Sequence, residues 1–185
     1  MKHQTGYTYL TPSGITIPRL LTGYAKKNIY SGIERKKILK IINKKGYKNN
    51  KYGYSDFAYA LLCLIIERIY KKPYKEVLDD WIITETRYLD IKVINNEIKR
   101  KDCYIANKLI RNWIWEEDNP YLGAGAIATK IKDITSFVNT LINSDKDYIK
   151  ECFEIDKDDD KHNKTFLLSK NKLVYYHIGG VGTFR

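Results

Sequence analysis

The sequence predicts an α+β fold, an α/β sandwich in which helices cover an antiparallel sheet. Three observations lead there. A dense apolar run, Phe57 to Ile66, is bracketed by helix start and stop signals. Two further segments carry apolar residues at helical spacing, Val77, Leu78, Trp81 and Ile82 in one and Ile131, Ile134, Phe137, Val138, Leu141 and Ile142 in the other. Near the C-terminal end, Thr165–Leu168 and Leu173–Ile178 flank the polar run Ser169-Lys170-Asn171-Lys172, a hairpin signal.

The segment Tyr54 to Lys72 organises the chain. Ser55 and Asp56 stand where a helix takes its N-cap. Arg68, Lys71 and Lys72 place cations at its C-terminal end, and Pro73 stops it and can open the next helix. Apolar residues on nearly every side predict a buried helix. The ten-residue run is too short for a bilayer, which takes about 20 apolar residues.

Before this helix, Ile15–Thr22 reads as an extended piece entering a helical turn. Ile33 to Lys45 has an imperfect helical pattern, Ile33, Ile38, Leu39, Ile41 and Ile42, opposite a Lys/Arg face. Gly46 to Gly53 reads as a loop. The basic stretch from Arg35 to Lys51 runs into Tyr47, Tyr52 and Tyr54. That pattern fits either a nucleic-acid surface with stacking aromatics or a solvated helix face, and the solvated face is preferred because no nucleic-acid motif accompanies it. After the helix, Pro73 to Ile83 predicts an amphipathic helix. Arg87 to Lys108 gives no pattern. Trp113-Ile114-Trp115 reads as a strand-like piece ending in a turn at Glu116–Pro120. Thr129 is a fair N-cap for the Ile131–Ile142 helix, with Asp133 in its first turn.

A chain of 185 residues fits one domain with a core. Hydrophobic content of 43% and aromatic content of 13% indicate a folded protein. The net charge of +11 arises among abundant Lys, Ile, Asn and Tyr, whose codons are AT-rich, so a low-GC genome would give it without selection for anionic partners. No apolar h-region follows Met1, which predicts no signal peptide and, by default, a cytoplasmic location. Cys63, Cys103 and Cys152 are widely spaced with no Cys-x-x-Cys, which gives no zinc or redox site. Asp156, Asp158 and Asp160 alternate as in a calcium loop, but Lys161 and Leu167 stand where such a loop has Gly and Glu. No metal or cofactor is assigned, and no specific nucleic acid.

Four stretches, taken in order, resemble one family. Ile15-Thr16-Ile17-Pro18-Arg19-Leu20-Leu21-Thr22 is similar to an Ile-Thr-Ile-Arg-His-Leu-Leu-Thr segment, although Gly23-Tyr24-Ala25 replaces the His-Thr-Ser-Gly that follows it, and Ser31-Gly32 comes later. Tyr54-Ser55-Asp56 heads a buried helix that ends in Lys72-Pro73-Tyr74. Ala124-Gly125-Ala126, Thr129, Asp133 and Phe137 follow the spacing of a small-residue turn entering a helix. His177-Ile178-Gly179-Gly180 closes the set. Together they resemble the serine β-lactamase and penicillin-binding-protein superfamily, in its class C-like and esterase-like branch.

The resemblance implies an antiparallel sheet flanked by helices, present as a single partial domain over residues 1–185. It implies acyl-serine hydrolysis of a β-lactam, a D-amino-acid peptide such as a peptidoglycan stem, or an ester. Tyr54 takes the place of the tyrosine of Tyr-x-Asn, a candidate general base. Asp56 takes the place of the asparagine, and an ionised carboxylate accepts but does not donate hydrogen bonds. His177 and Gly179 take the third motif, on a strand lining the pocket, where backbone N–H groups serve an oxyanion. The nucleophile's Ser-x-x-Lys is not upstream; the literal match, Ser169-Lys170-Asn171-Lys172, falls in the hairpin turn. The expectation is therefore a truncated, weakly active or inactive member. The alternatives are a noncatalytic module that binds cell-wall peptide and, more weakly, a basic nucleic-acid-binding protein. Without the resemblance, Ser55 and Asp56 read as a plain helix cap and His177 as a strand histidine.

Overall fold

A computed structural model describes residues 5–7, 28–45, 53–86, 92–93, 113–154, 168–169 and 175–176. Within them the chain forms α1 (Arg35–Lys45), α2 (Asp56–Tyr70), α3 (Tyr74–Thr86), β1 (Lys92–Val93), a 3-10 turn (Leu122–Ala124), β2 (Ile127–Ala128), α4 (Ile131–Ile142), α5 (Asp147–Phe153), β3 (Leu168–Ser169) and β4 (Tyr175–Tyr176). Helix α2 is the hub: α1, α3 and the 3-10 turn all pack on it, while α4 packs on α3 and α5 on α4.

The buried helix is where the apolar run predicts it. Phe57, Ala58, Ala60 and Cys63 of α2 are buried. Ser55 caps it, its Oγ accepting from the Ala58 N–H at 3.1 Å, and Lys71 ends it in the left-handed conformation at φ 55°. Pro73 then opens α3, its carbonyl accepting from the Val77 N–H at 3.1 Å. The core joins Phe57 and Ala60 of α2 to Ile38 of α1, to Ile29, Tyr30 and Ile33, and to Trp115, Tyr121, Leu122 and Ala126. Tyr7 packs edge-on against Phe57.

Four expectations differ from the outcome. Trp113–Trp115 is not a strand but an irregular segment whose indoles enter the core; packing decides, since no partner strand lies beside it among the described residues. Thr129 does not cap α4; Lys130 takes the N-cap position without a side-chain hydrogen bond. The apolar stripe of α4 is only partly covered: Phe137 meets Trp81 of α3 edge-on, whereas Ile131 is 85% exposed and Ile134, Val138 and Ile142 are exposed too. The sheet is limited, among the described residues, to two antiparallel ladders of two residues a strand. Lys92 faces Ala128 and Val93 faces Ile127; Leu168 faces Tyr176 and Ser169 faces Tyr175. The second ladder falls in the predicted hairpin, with Ser169 in a strand rather than in the turn.

One ion pair ties the helices together. Arg35 of α1 grips Glu67 of α2 with two hydrogen bonds, 3.0 Å from Nε and 2.6 Å from Nη2, and donates Nη1 to the Asp118 carbonyl. Glu67 also accepts the first N–H of α3, from Tyr74, at 3.0 Å. A bidentate pair with a third donor is the strong form of such contacts. Partial burial pushes the Glu67 carboxyl up, yet the hydrogen bonds from Arg35 and Tyr74 outweigh it and hold it below the ordinary value of 4.5.

Gly123 lies against α2, its N–H donating to Cys63 Sγ at 3.2 Å. A Cβ there would stand 2.6 Å from that sulfur. Gly123→Ala should cost about 1–3 kcal/mol in denaturant unfolding, and Cys63→Ala in the same chain should recover part of it. Equal losses in both backgrounds would contradict the contact. Glu67 should add stability that is complete above the ordinary carboxylate pKa and lost as pH falls through its lowered folded value. Unfolding curves of the unmodified chain and Glu67→Gln should therefore diverge near neutrality and converge in acid.

Candidate functional site

The site is built at the N-terminal end of α2. Tyr54 precedes the cap and is 43% exposed. Asp56 is the first helical residue and is half-buried, where a carboxylate is favoured by the helix dipole. Tyr54 and Asp56, both predicted as site residues, are hydrogen-bonded side chain to side chain. The other two, His177 and Gly179, lie outside the described residues.

Sequence reading missed the third member. The hydroxyl of Tyr30 donates to Asp56 Oδ2 in a short hydrogen bond. Burial pushes the Asp56 carboxyl above the ordinary value of 3.8, against the pull of the Tyr30 and Tyr54 hydrogen bonds. The carboxyl thus keeps its proton to higher pH than a free aspartic acid.

Tyr30 is held on every side. Its ring is 2% exposed and stacks on Tyr121 at 4.1 Å between centroids, 6° from parallel. Trp113 meets it edge-on at 6.0 Å. Its N–H donates to Asn28 Oδ1 at 2.9 Å, and its carbonyl accepts from Asn119 Nδ2 at 3.0 Å. Asn119 treats Tyr121 in the same way, Oδ1 accepting from the Tyr121 N–H at 2.9 Å. Asn28 reaches back to the Ile114 carbonyl at 3.1 Å. The signal for this pair is the repeated Asn-x-Tyr, Asn28-Ile29-Tyr30 and Asn119-Pro120-Tyr121. Asparagine side chains that close on the N–H two residues on form turns without regular structure.

Beside them, Ser31 Oγ donates to Glu116 Oε1, and Asn119 Nδ2 donates to Glu116 Oε2 at 2.7 Å. Partial burial pushes the Glu116 carboxyl up, but these donors hold it low. Gly32 turns the chain here at φ +68°, a conformation that favours glycine. The aromatic floor, the acid and the exposed phenol together leave a polar edge at the head of α2.

A cleft of about 500 Å³ lies elsewhere, at the far end of α2, between Ile66, Tyr70, Val77 and Trp81. It offers Lys72 and Asp80, which pair with each other at 2.8 Å, and no group suited to nucleophilic chemistry. Among the described residues no cluster of His, Cys, Asp and Glu is fit to hold a metal, and no helix is long and apolar enough to cross a membrane.

No protein-family model matches the chain, and no curated protein matches it. Solved structures do. A β-lactamase/D-alanine carboxypeptidase from Yersinia pestis, complexed with citrate, superposes with a TM-score of 0.55 at 17% identity, over 80% of this chain and 41% of its own. A β-lactamase/D-alanine carboxypeptidase from Pseudomonas syringae gives 0.52 at 12% identity, over 78% of this chain and 37% of its own. The chain has a β-lactamase-like fold and spans about two fifths of the length of these structures.

Removing the cap at the head of the site should be felt. Ser55→Ala should lower unfolding stability by about 1 kcal/mol, the usual worth of an N-cap hydroxyl. A loss within experimental error would mean that the Ala58 N–H finds another acceptor.

Proposed function

We propose that the chain is of the acyl-serine hydrolase lineage and that the head of α2 binds a β-lactam, a D-amino-acid peptide or an ester. The observation that carries this reading is the placement of Tyr54 and Asp56 side by side at the head of the buried helix of a β-lactamase-like fold. The likeness in fold supports the lineage; the residues supply the chemistry. The chain is read as part of a single domain of this kind, with α1 to α4 as its central helical portion and an antiparallel sheet beyond the two short ladders.

In this reading Tyr54 is the candidate base. Tyr54 is exposed to solvent, and its contact with Asp56 orients its phenol. Asp56 stands where an amide would offer a donor to a substrate carbonyl. Ionised, it offers none; with the proton that burial favours, it offers one. His177 and Gly179 are assigned to the facing strand, with backbone N–H groups for an oxyanion. The sequence holds Ser-x-x-Lys only at Ser169–Lys172, and no nucleophile is assigned to it. Little or no turnover follows, and the site serves binding more than hydrolysis.

Intact mass after incubation with a reactive penicillin tests this, with circular dichroism confirming the fold. The expected result is a folded chain without a covalent adduct that still binds the penicillin or a D-alanyl-D-alanine peptide in titration. An adduct mapped to a serine would overturn the assignment of little turnover. No binding of either ligand would overturn the site. Because Asp56 donates only when protonated, affinity should fall as pH rises through its raised pKa. Asp56→Asn should bind with little dependence on pH over that range, and an unchanged pH profile in Asp56→Asn would remove Asp56 from the site.

A further inference from the structure

We propose that Tyr30 is a positioning residue of this site, which fixes the Asp56 carboxyl beside Tyr54. The proposal rests on the functional reading of Asp56 as a donor to ligand, and its geometry stands apart from that reading. The Tyr30 phenol is buried, and its hydroxyl has Asp56 Oδ2 as acceptor.

Ordinary packing asks only that a buried phenol find some acceptor. Tyr30 is constrained well beyond that. Its ring is clamped between Tyr121 and Trp113, its N–H is tied by Asn28 and its carbonyl by Asn119. These contacts come from segments far apart in the chain and leave the phenol one direction, toward the first residue of α2.

The consequence is chemical. A carboxylic acid has one oxygen that accepts and one that carries the proton. A phenol donating to Oδ2 keeps that oxygen an acceptor, and it favours the carboxylate over the acid. Among the described residues, the titratable side chains acting on Asp56 are Tyr30, from the segment before α1, and Tyr54, from the lead-in to α2. Glu116, held by Ser31 and Asn119, is the other carboxyl beside the cluster, so the Asp56 midpoint is read at its own Cγ.

The test is a carbon-13 NMR pH titration of the full chain labelled in aspartate and tyrosine. In the unmodified chain, Tyr30 Cζ should report a midpoint shared with Asp56 Cγ, since its hydrogen-bond acceptor changes charge there. In Tyr30→Phe, which keeps the stacked ring, the Asp56 midpoint should move to higher pH, because a donor that favours the carboxylate is lost. A role confined to packing predicts neither. A Tyr30 Cζ signal that stays flat through the Asp56 midpoint would overturn the proposal, and needs no variant to fold. So would an Asp56 midpoint in folded Tyr30→Phe that is unmoved or lower. Failure of every ligand to bind would sink the functional reading and leave the titration result as it stands.

Discussion

The stacked pair Tyr30 and Tyr121, each anchored by an asparagine two residues earlier, is the constraint on which the rest of the described structure depends. Asn119 and Tyr30 are 89 positions apart, and their contact closes two irregular segments over the head of α2. Such segments carry backbone groups that no helix or ladder satisfies, and a buried unpaired group is costly. Asn28 and Asn119 meet that demand with both ends of their amides. The parallel rings add packing worth about 0.5–1.5 kcal/mol beyond the area they bury. Tyr121 then leads into the 3-10 turn, which brings Gly123 onto Cys63, and Tyr30 leads into α1, which brings Arg35 onto Glu67.

The same closure shapes the candidate site. A carboxyl at the head of a buried helix, half out of water, is sensitive to its few partners. Here those partners are two phenols, one locked in the core and one exposed at the surface. Four cations of this basic chain are engaged away from the site, Arg35 with Glu67, Lys72 with Asp80, Lys75 with Asp79 and Lys146 with Glu85. The site keeps an acid whose proton is favoured by burial and opposed by two phenol hydrogen bonds.

Much of this was legible in the residues, and the limits are physical. Ser55, the apolar run and Pro73 announced α2 and α3 because caps and breakers act locally. The order of Tyr54-Ser55-Asp56, Ala124-Gly125-Ala126 and Phe137 pointed to the β-lactamase-like fold, and the solved structures agree. Trp113–Trp115 misled because alternating aromatics suit a strand as well as an irregular segment pressed into a core. The stripe of α4 promised more burial than it has, since amphipathic spacing shows which face is apolar and not what covers it. Tyr30 was invisible as a site residue: its role comes from a contact 26 positions away, and one tyrosine among 16 carries no local signal. The repeated Asn-x-Tyr was the available clue, and its meaning depends on the two copies meeting in space.

The central claim is that the two Asn-x-Tyr turns and the head of α2 form one cooperative unit. Native-state hydrogen exchange at the amides of Tyr30, Tyr121 and Ala58 tests it most directly. The account predicts that the three exchange with a common, high opening free energy, and that Asn119→Ala lowers all three together. Rapid exchange at Tyr30 and Tyr121 while Ala58 stays protected would contradict it, leaving the helix stable alone and the site without its anchor.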